Sequence, residues 1–363
     1  MTSMPHILFC DSSEGWGGLQ QWMLSAATGM GKHDWKVSVA GRAGSALLPR
    51  TAAAGIRTHV WPFHWELDLI TYAKARGFSR AERPDLVVVG SGRDIRAVGI
   101  ATKQAGIPVI WRVGGRPKFA WFQRLTRDRL VDHALVPSQY SREMLISAGW
   151  KDNEVTVIHN GITPVDPPSI EQVREIRHRL GFLDDAFLIL FVGSLRRVKQ
   201  VDVLLHAFQA VNASYPNAHL IAVGSGVKDK ELQALADSLG IRDQITFAGF
   251  SARPDDFFNA CDVFVLPSRE ETFGWVLLEA MTRAKPVVAS DTGAIPEVVG
   301  RDEAGLLAPA GDSALLAIAI QSLAGAPDVR QRLGLAGAKR VRELFTEERM
   351  LSQLNDFFRG YLK

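Results

Sequence analysis

The feature that most constrains this chain is an alternation, made twice, of short apolar runs with longer stretches of helical periodicity. In the first half "HILFCD", "KVSVAG", "DLVVVG", "PVIWRV" and "HALVPS" read as strands, with helices over stretches such as 19–30 and 93–105. The second half restarts at "FLILFVGS" and runs through "HLIAVGSG", "QITFAGF", "VFVLPS" and "PVVASD", with helices such as 201–213 and 230–238 between them. Uninterrupted Val, Ile and Leu suit strands buried on both faces, and a helix between successive strands supplies the crossover that parallel pairing needs. The pattern predicts an α/β chain of two Rossmann-like domains facing each other across a cleft. Residues 163–169, "TPVDPPS", hold three prolines and no periodicity, which marks a linker. Ligands of such folds bind at the carboxyl ends of the strands, so the cleft is the expected site.

At 363 residues and 47% hydrophobic content, the chain can fill two cores. The two cysteines, Cys10 and Cys261, lie far apart, which argues against a disulfide framework or a cysteine metal cluster and fits a reducing compartment. The opening "MTSMPHILFC" lacks a basic signal-peptide region and reads as a first buried strand, and no apolar run approaches the roughly 20 residues of a membrane span. A cytoplasmic protein is expected. Charge is shared unevenly: residues 1–165 hold 20 Lys and Arg against 13 Asp and Glu, the remainder 22 against 26. The basic half calls for an acidic partner. Residues 112–129 concentrate Arg112, Arg116, Lys118, Arg124, Arg127 and Arg129 against Asp128, with Phe119, Trp121, Phe122 and Leu125 interleaved. They read as a membrane-surface patch or a site for a phosphorylated acceptor, or equally as a solvated helix with its apolar side inward. No nucleic-acid recognition motif accompanies these charges, so no nucleic-acid partner is expected.

The stretch with most chemistry is "PSREETFGWVLLEAM", residues 267–281, with seven residues between Glu271 and Glu279. Were the whole span helical, the carboxylates would stand about 12 Å apart along the axis. That exceeds the roughly 5–9.5 Å of a glycosidase carboxylate pair and suits two acids that grip different hydroxyls of one extended ligand. Amides at the helix start between them offer an anion site. Hydroxyls at both ends and phosphates in the middle describe a nucleotide sugar; the plainer reading is a surface helix with solvated glutamates. "SSEGWGGLQQW", residues 12–22, sets Gly17 and Gly18 at a strand-to-helix turn where backbone can approach a phosphate, while Trp16 and Trp22 suggest packing or a sugar ring, with Trp22, further into the helix, as core. "GSGVKD", 224–229, lacks the third glycine of a dinucleotide fingerprint and reads as a tight turn. His64, between Trp61 and Trp65, is an acceptor candidate or simply a surface histidine, and His133 and His159 receive no function.

"E-x-F-G" followed by "L-L-E-A-M" and "K-P-V-V-A-S" resembles the signature of retaining GT-B glycosyltransferases of family four, the glycosyl transferases group 1. "VGSLRRVKQVDVLLHAF" (192–208), "LIAVGSGVKDKELQALADSLGI…ITFAGF" (220–250), "VTVIHNGI" (155–162) and "WGGLQQWMLSAA" extend the likeness in order along nearly the whole chain. The resemblance implies an acceptor-side domain 1–162, the linker, a nucleotide-sugar domain 170–344, and a segment 345–363 returning to the first domain. It implies that Glu279 binds ribose hydroxyls and Glu271 the donor sugar. Lys199, with Arg196 or Arg197, neutralises the leaving diphosphate. Gly17, Gly18, Ser194, Phe250, Thr272, Phe273, Gly274 and Trp275 complete the donor site, and Trp16, His64, Arg112 and Arg116 are acceptor candidates. The implied enzyme is metal-independent and has no resident cofactor. Its co-substrate is a nucleotide sugar, a UDP-sugar first and a GDP- or ADP-sugar next. Its acceptor is an anionic glycan or glycolipid of lipopolysaccharide type, met at the inner face of the cytoplasmic membrane. Four positions depart from the pattern: Ser194 replaces an Arg, Gly114 a His, Gln20 a Glu, and Ala284 a glycine, the last a minor packing matter. Arg112 or Arg116 is the expected substitute for the missing His. The rival readings are a nucleotide-sugar epimerase or phosphorylase of the same fold, and a non-catalytic sugar-binding protein.

Overall fold

The computed structural model describes residues 4–65, 68–115, 129–251, 254–301 and 303–362. The chain divides into two compact units, one of residues up to Asn160 together with those from Glu347 onward, the other Gly161–Thr346. In the first unit lie β1 (His6–Asp11), β2 (Lys36–Gly41), β3 (Arg57–Val60), β4 (Leu86–Val89), β5 (Val109–Arg112), β6 (His133–Val136) and β7 (Val155–Val157). They form one parallel sheet in the order β3-β2-β1-β4-β5-β6-β7. The second unit holds β8 (Phe187–Val192), β9 (Ala218–Val223), β10 (Ile245–Gly249), β11 (Val263–Leu266), β12 (Val287–Ser290) and β13 (Gly305–Ala308). These too are parallel, in the order β10-β9-β8-β11-β12-β13.

Every residue of the inner strands β1, β4, β11 and β12 is buried, which accounts for their unbroken apolar sequences. The strands β3, "RTHV", and β13, "GLLA", fall outside the ten apolar runs of the sequence reading. The first is an edge strand with exposed ends, and the second opens on glycine and has no β-branched residue. The helix Glu347–Arg359 belongs to the first unit because Met350, Leu354 and Phe358, four residues apart, share one buried face. Phe358 meets Phe9 of β1 and Trp35 edge-on, and the Trp35 indole donates to Asn355 Oδ1 at 3.0 Å. Each aromatic buried in this way gains about 1.5–3 kcal/mol. Where the chain enters and leaves the second unit, the Ile162 amide donates to the Phe345 carbonyl at 2.9 Å.

Ala284 follows the helix Trp275–Thr282 with φ of 54°, in the left-handed region. Its β-carbon strains the backbone there, so replacing the family's glycine carries a conformational cost and is more than a packing change. Replacing Ala284 with glycine is expected to raise stability by up to about 1 kcal/mol in denaturant unfolding. An unchanged or lowered midpoint at constant slope would contradict the strain.

Candidate active site

In the second unit β8 and β11 lie side by side, yet the chain leaves them in opposite directions, to β9 and β10 on one flank and β12 and β13 on the other. The loops at their carboxyl ends diverge, and such a reversal is where open α/β sheets hold ligands. The loop after β8 ends in a 3-10 turn, Arg197–Lys199, and Gln200 in the left-handed conformation starts the helix Val201–Ser214. Lys199 Nζ donates to Glu271 Oε2 at 2.5 Å, from the loop after β11, with the two side chains 20% and 14% exposed. The Arg269 amide donates to the Val198 carbonyl at 2.8 Å and joins the same loops by backbone. Arg196 and Arg197 are exposed and make no ion pair with the described residues.

Glu271 is fixed through its backbone. Its carbonyl accepts from the Ala294 amide at 2.9 Å, and Gly293 (φ 57°) packs so close that a β-carbon there would lie 2.2 Å from that oxygen. Gly274, with φ of 86°, caps the helix Trp275–Thr282: its carbonyl accepts from the Leu277 amide at 2.9 Å, and the Trp275 and Val276 amides precede any intrahelical partner. The helix begins at Trp275, so Glu271 stands outside it and only Glu279 is helical; the axial spacing of about 12 Å expected of a helix through both does not apply. Glu279 and Thr272 are half-buried, and Phe273 is buried edge-on to Phe345 at 5.8 Å. Trp275 and Ser268 are buried, and the Trp275 Nε1 and Ser268 Oγ lack hydrogen-bond partners. Ser194 is half-buried, and its carbonyl accepts from the Arg196 amide at 2.8 Å. Phe250 projects, exposed, beyond β10. The "GSGVKD" turn packs on the β8 loop, where the Leu195 amide donates to the Ser225 carbonyl at 3.0 Å.

In the first unit the reversal falls between β1 and β4. Asp11 ends β1 and Asp94 lies in the first turn of the helix Gly92–Lys103, both fully buried. The Asp94 carboxylate accepts from the Ser91 amide at 2.9 Å and the Ser12 amide at 3.4 Å, while its Oδ1 has no partner. Asp11 accepts from Gln20 Nε2 at 2.9 Å and Ser13 Oγ at 3.0 Å. Burial, and then the charge of Asp11, push the Asp94 carboxyl up to about 7; burial raises Asp11 as well. The sequence reading missed this pair, whose only signal is an aspartate closing an apolar strand and the S-x-x-D cap "SGRD".

Gly17 is extended (φ −166°), and Gly18 opens the helix Gly18–Lys32. A β-carbon on Gly17 would make ordinary contact with Gln20, and one on Gly18 would meet nothing within 4 Å. Neither glycine is required by its own unit's backbone or packing. Trp16 is half-buried beneath the Arg50 guanidinium, 4.3 Å from its ring, whereas Trp22 is core. His64 is exposed, and its amide donates to Asp68 at 2.9 Å. Arg112 is placed otherwise than an acceptor contact requires. It is 3% exposed, donates to Asn160 Oδ1 at 2.6 Å and to the Val113 carbonyl at 3.0 Å, and stacks on Trp22. Burial lowers its guanidinium to about 9. Arg116 lies outside the described residues, as do Lys118, Arg124 and Arg127.

Residues 16–165 match the family model Glycosyltransferase Family 4, and residues 172–340 the model Glycosyl transferases group 1. The lipopolysaccharide core biosynthesis glycosyltransferase LpsD of Rhizobium meliloti is 31% identical over 59% of this chain and 60% of its own length. A glycosyltransferase of Bacillus subtilis, EpsD, is 31% identical over 55% of this chain and 51% of its own. The chain thus spans about half to three fifths of these relatives. Among solved structures, HepE of Anabaena in complex with UDP and glucose superposes with a TM-score of 0.88 at 23% identity, covering 98% of this chain and 99% of that one. WaaG, involved in lipopolysaccharide biosynthesis, gives 0.76 at 16% identity over 98% and 100%.

Two outcomes follow from this geometry. Gly293→Ala is expected to cost more than about 1 kcal/mol in denaturant unfolding, whereas Gly18→Ala is expected to be neutral or slightly stabilising; equal costs would refute the distinction. A carboxyl whose folded value is raised favours folding only while protonated. The stability that protonated Asp94 provides is therefore lost between about pH 4 and about pH 7. The thermal midpoint of the wild type should fall across that interval relative to Asp94→Asn, and a difference independent of pH would sink the assignment.

Proposed function

Because the chain belongs to the glycosyl transferases group 1, with a family 4 N-terminal half, we propose that it is a retaining glycosyltransferase that moves a sugar from a nucleotide diphosphate to an acceptor hydroxyl. The observation that carries this reading is the Lys199–Glu271 pair at the strand-order reversal of the second unit, beside the free amides at the start of the helix Trp275–Thr282. One N–H of the Lys199 ammonium is committed to Glu271, and two remain for phosphate oxygens. Glu271 keeps a second carboxylate oxygen for sugar hydroxyls, and Glu279, in the second helical turn, takes the ribose. Ser194, Thr272, Phe273, Gly274, Trp275 and Phe250 border the same ligand, with Arg196 or Arg197 adding charge from the exposed side. The open backbone at Gly17 and Gly18 admits a phosphate or sugar.

In the reaction the anomeric carbon loses its bond to the diphosphate oxygen and gains one to the acceptor oxygen on the same face. The acceptor proton passes to the departing diphosphate, so no separate base is needed. Negative charge grows on that diphosphate, and prepositioned cations and amides stabilise it without a metal ion. A UDP-sugar is the favoured donor, supported by the fold neighbour HepE in complex with UDP and glucose. An anionic glycan or glycolipid acceptor of lipopolysaccharide type, reached at the cytoplasmic membrane face, is supported by LpsD and by the basic N-terminal half. The intact Lys199–Glu271 pair speaks against a non-catalytic sugar-binding protein, and the match to both family models against an epimerase.

UDP is expected to raise the thermal midpoint in proportion to its occupancy, GDP and ADP less. Lys199→Ala and Glu271→Ala are each expected to lower donor hydrolysis or transfer about 10²–10³-fold. If neither variant slowed turnover while UDP still bound, the catalytic reading would fail.

A further inference from the structure

Gln200 follows Lys199 and carries two local costs that nothing else in its unit offsets. With φ of 47° it is in the left-handed region, which strains a residue bearing a β-carbon. Five described non-glycine residues have positive φ, and Gln200 alone among them adjoins the Lys199–Glu271 pair. Its side chain is half-buried, with Oε1 enclosed and lacking a hydrogen-bond partner, and Nε2 donates to none of the described residues. Buried polar groups are ordinarily paired, and an unmade hydrogen bond is costly.

Backbone accounts for the turn at Gln200 but not for its side chain. The Gln200 amide donates to the Arg197 carbonyl at 3.3 Å, closing the turn that bears Lys199, and its carbonyl accepts from the Leu204 amide at 3.3 Å. Glycine would make both bonds without strain. The carboxamide is placed by the loops at the carboxyl ends of β8, β11, β12 and β13, four consecutive strands of the sheet. The Val198 carbonyl accepts from Arg269, the Glu271 carbonyl accepts from Ala294, and the Asp291 amide donates to the Ala308 carbonyl at 2.7 Å. This circuit of loops closes at Gly311, where a β-carbon would lie 3.5 Å from Gln200 Nε2. Lys199 and Glu271 belong to the same circuit.

We propose that Gln200 is a specificity-determining residue whose carboxamide binds a hydroxyl of the transferred sugar. A carboxamide unpaired at both ends matches a group that both donates and accepts, as a hydroxyl does; a phosphate oxygen only accepts and leaves Oε1 unpaired. The sugar is the hydroxyl-bearing part of the donor that Glu271 meets on this circuit, whereas the ribose goes to Glu279. A donor whose sugar lacks a hydroxyl at that point leaves the carboxamide unsatisfied and is discriminated against. The proposal rests on the glycosyltransferase reading.

The test uses the full chain as wild type, Gln200→Ala and Gln200→Gly, with donor hydrolysis measured without acceptor and thermal shifts measured alongside. The probes are UDP-glucose, UDP-galactose, UDP-N-acetylglucosamine and GDP-mannose, together with UDP and GDP. For the sugar nucleotide that the wild type hydrolyses best, both variants are expected to lower kcat/KM about tenfold and to narrow its lead over the other donors. The thermal shift with the matching bare nucleoside diphosphate is expected to stay unchanged. Unliganded Gln200→Gly is expected to melt above the wild type, because the left-handed strain is relieved. A merely structural role would move stability and turnover in the same direction. The proposal is overturned by unchanged kcat/KM and unchanged donor preference in both variants, or by a lowered melting midpoint of Gln200→Gly. It is overturned as well by an equal loss of the nucleoside diphosphate shift, which would place the carboxamide on phosphate or ribose. A wild type that neither hydrolyses nor responds to any of these probes removes the glycosyltransferase reading and the proposal together. Failure of the proposal alone leaves wild-type turnover, and its dependence on Lys199 and Glu271, intact.

Discussion

Parallel strand pairing is the constraint from which the rest of this protein follows. Every strand pair in both sheets is parallel, so each return needs a crossover and the inner strands must be covered on both faces. Crossovers to either flank of a central pair create the order reversals between β1 and β4 and between β8 and β11. The loops that diverge there bring charged side chains together: the buried Asp11 and Asp94 in one sheet, the Lys199–Glu271 ion pair in the other.

The Lys199–Glu271 pair shows how those loops become precise. Position comes from backbone: the Arg269–Val198 hydrogen bond, the left-handed Gln200, and the close passage of Gly293 under the Glu271 carbonyl. Largely desolvated pairs add little net stability, because ordering and dehydration offset much of the attraction. What such a pair does is hold a cation and a hydrogen-bond acceptor in fixed places.

Much of this was legible from residue order. The apolar runs located the inner strands because burial on both faces leaves no alternative composition. The segment 267–281 marked the richest loop, and Trp22 was assigned to the core, where it is 1% exposed. The helix start between Glu271 and Glu279 was legible from Phe273-Gly274, and the structure begins that helix at Trp275. The failures have specific causes. The edge strand β3 carries too little apolar signal to stand out. Arg112 is an acceptor candidate by sequence, whereas Asn160 and the Trp22 ring, both distant in sequence, take its guanidinium inside.

The sequence by itself determined two parallel-sheet units and the chemical types available at their loop ends, because strand burial and crossover length are written in local composition. Only the tertiary structure decided which charges meet. Lys199 reaches Glu271 across 72 positions, and Asp94 comes beside the end of the first strand from 82 positions beyond Ser12. Those encounters depend on strand order, and strand order is fixed by the packing of whole sheets, which no local pattern of residues encodes.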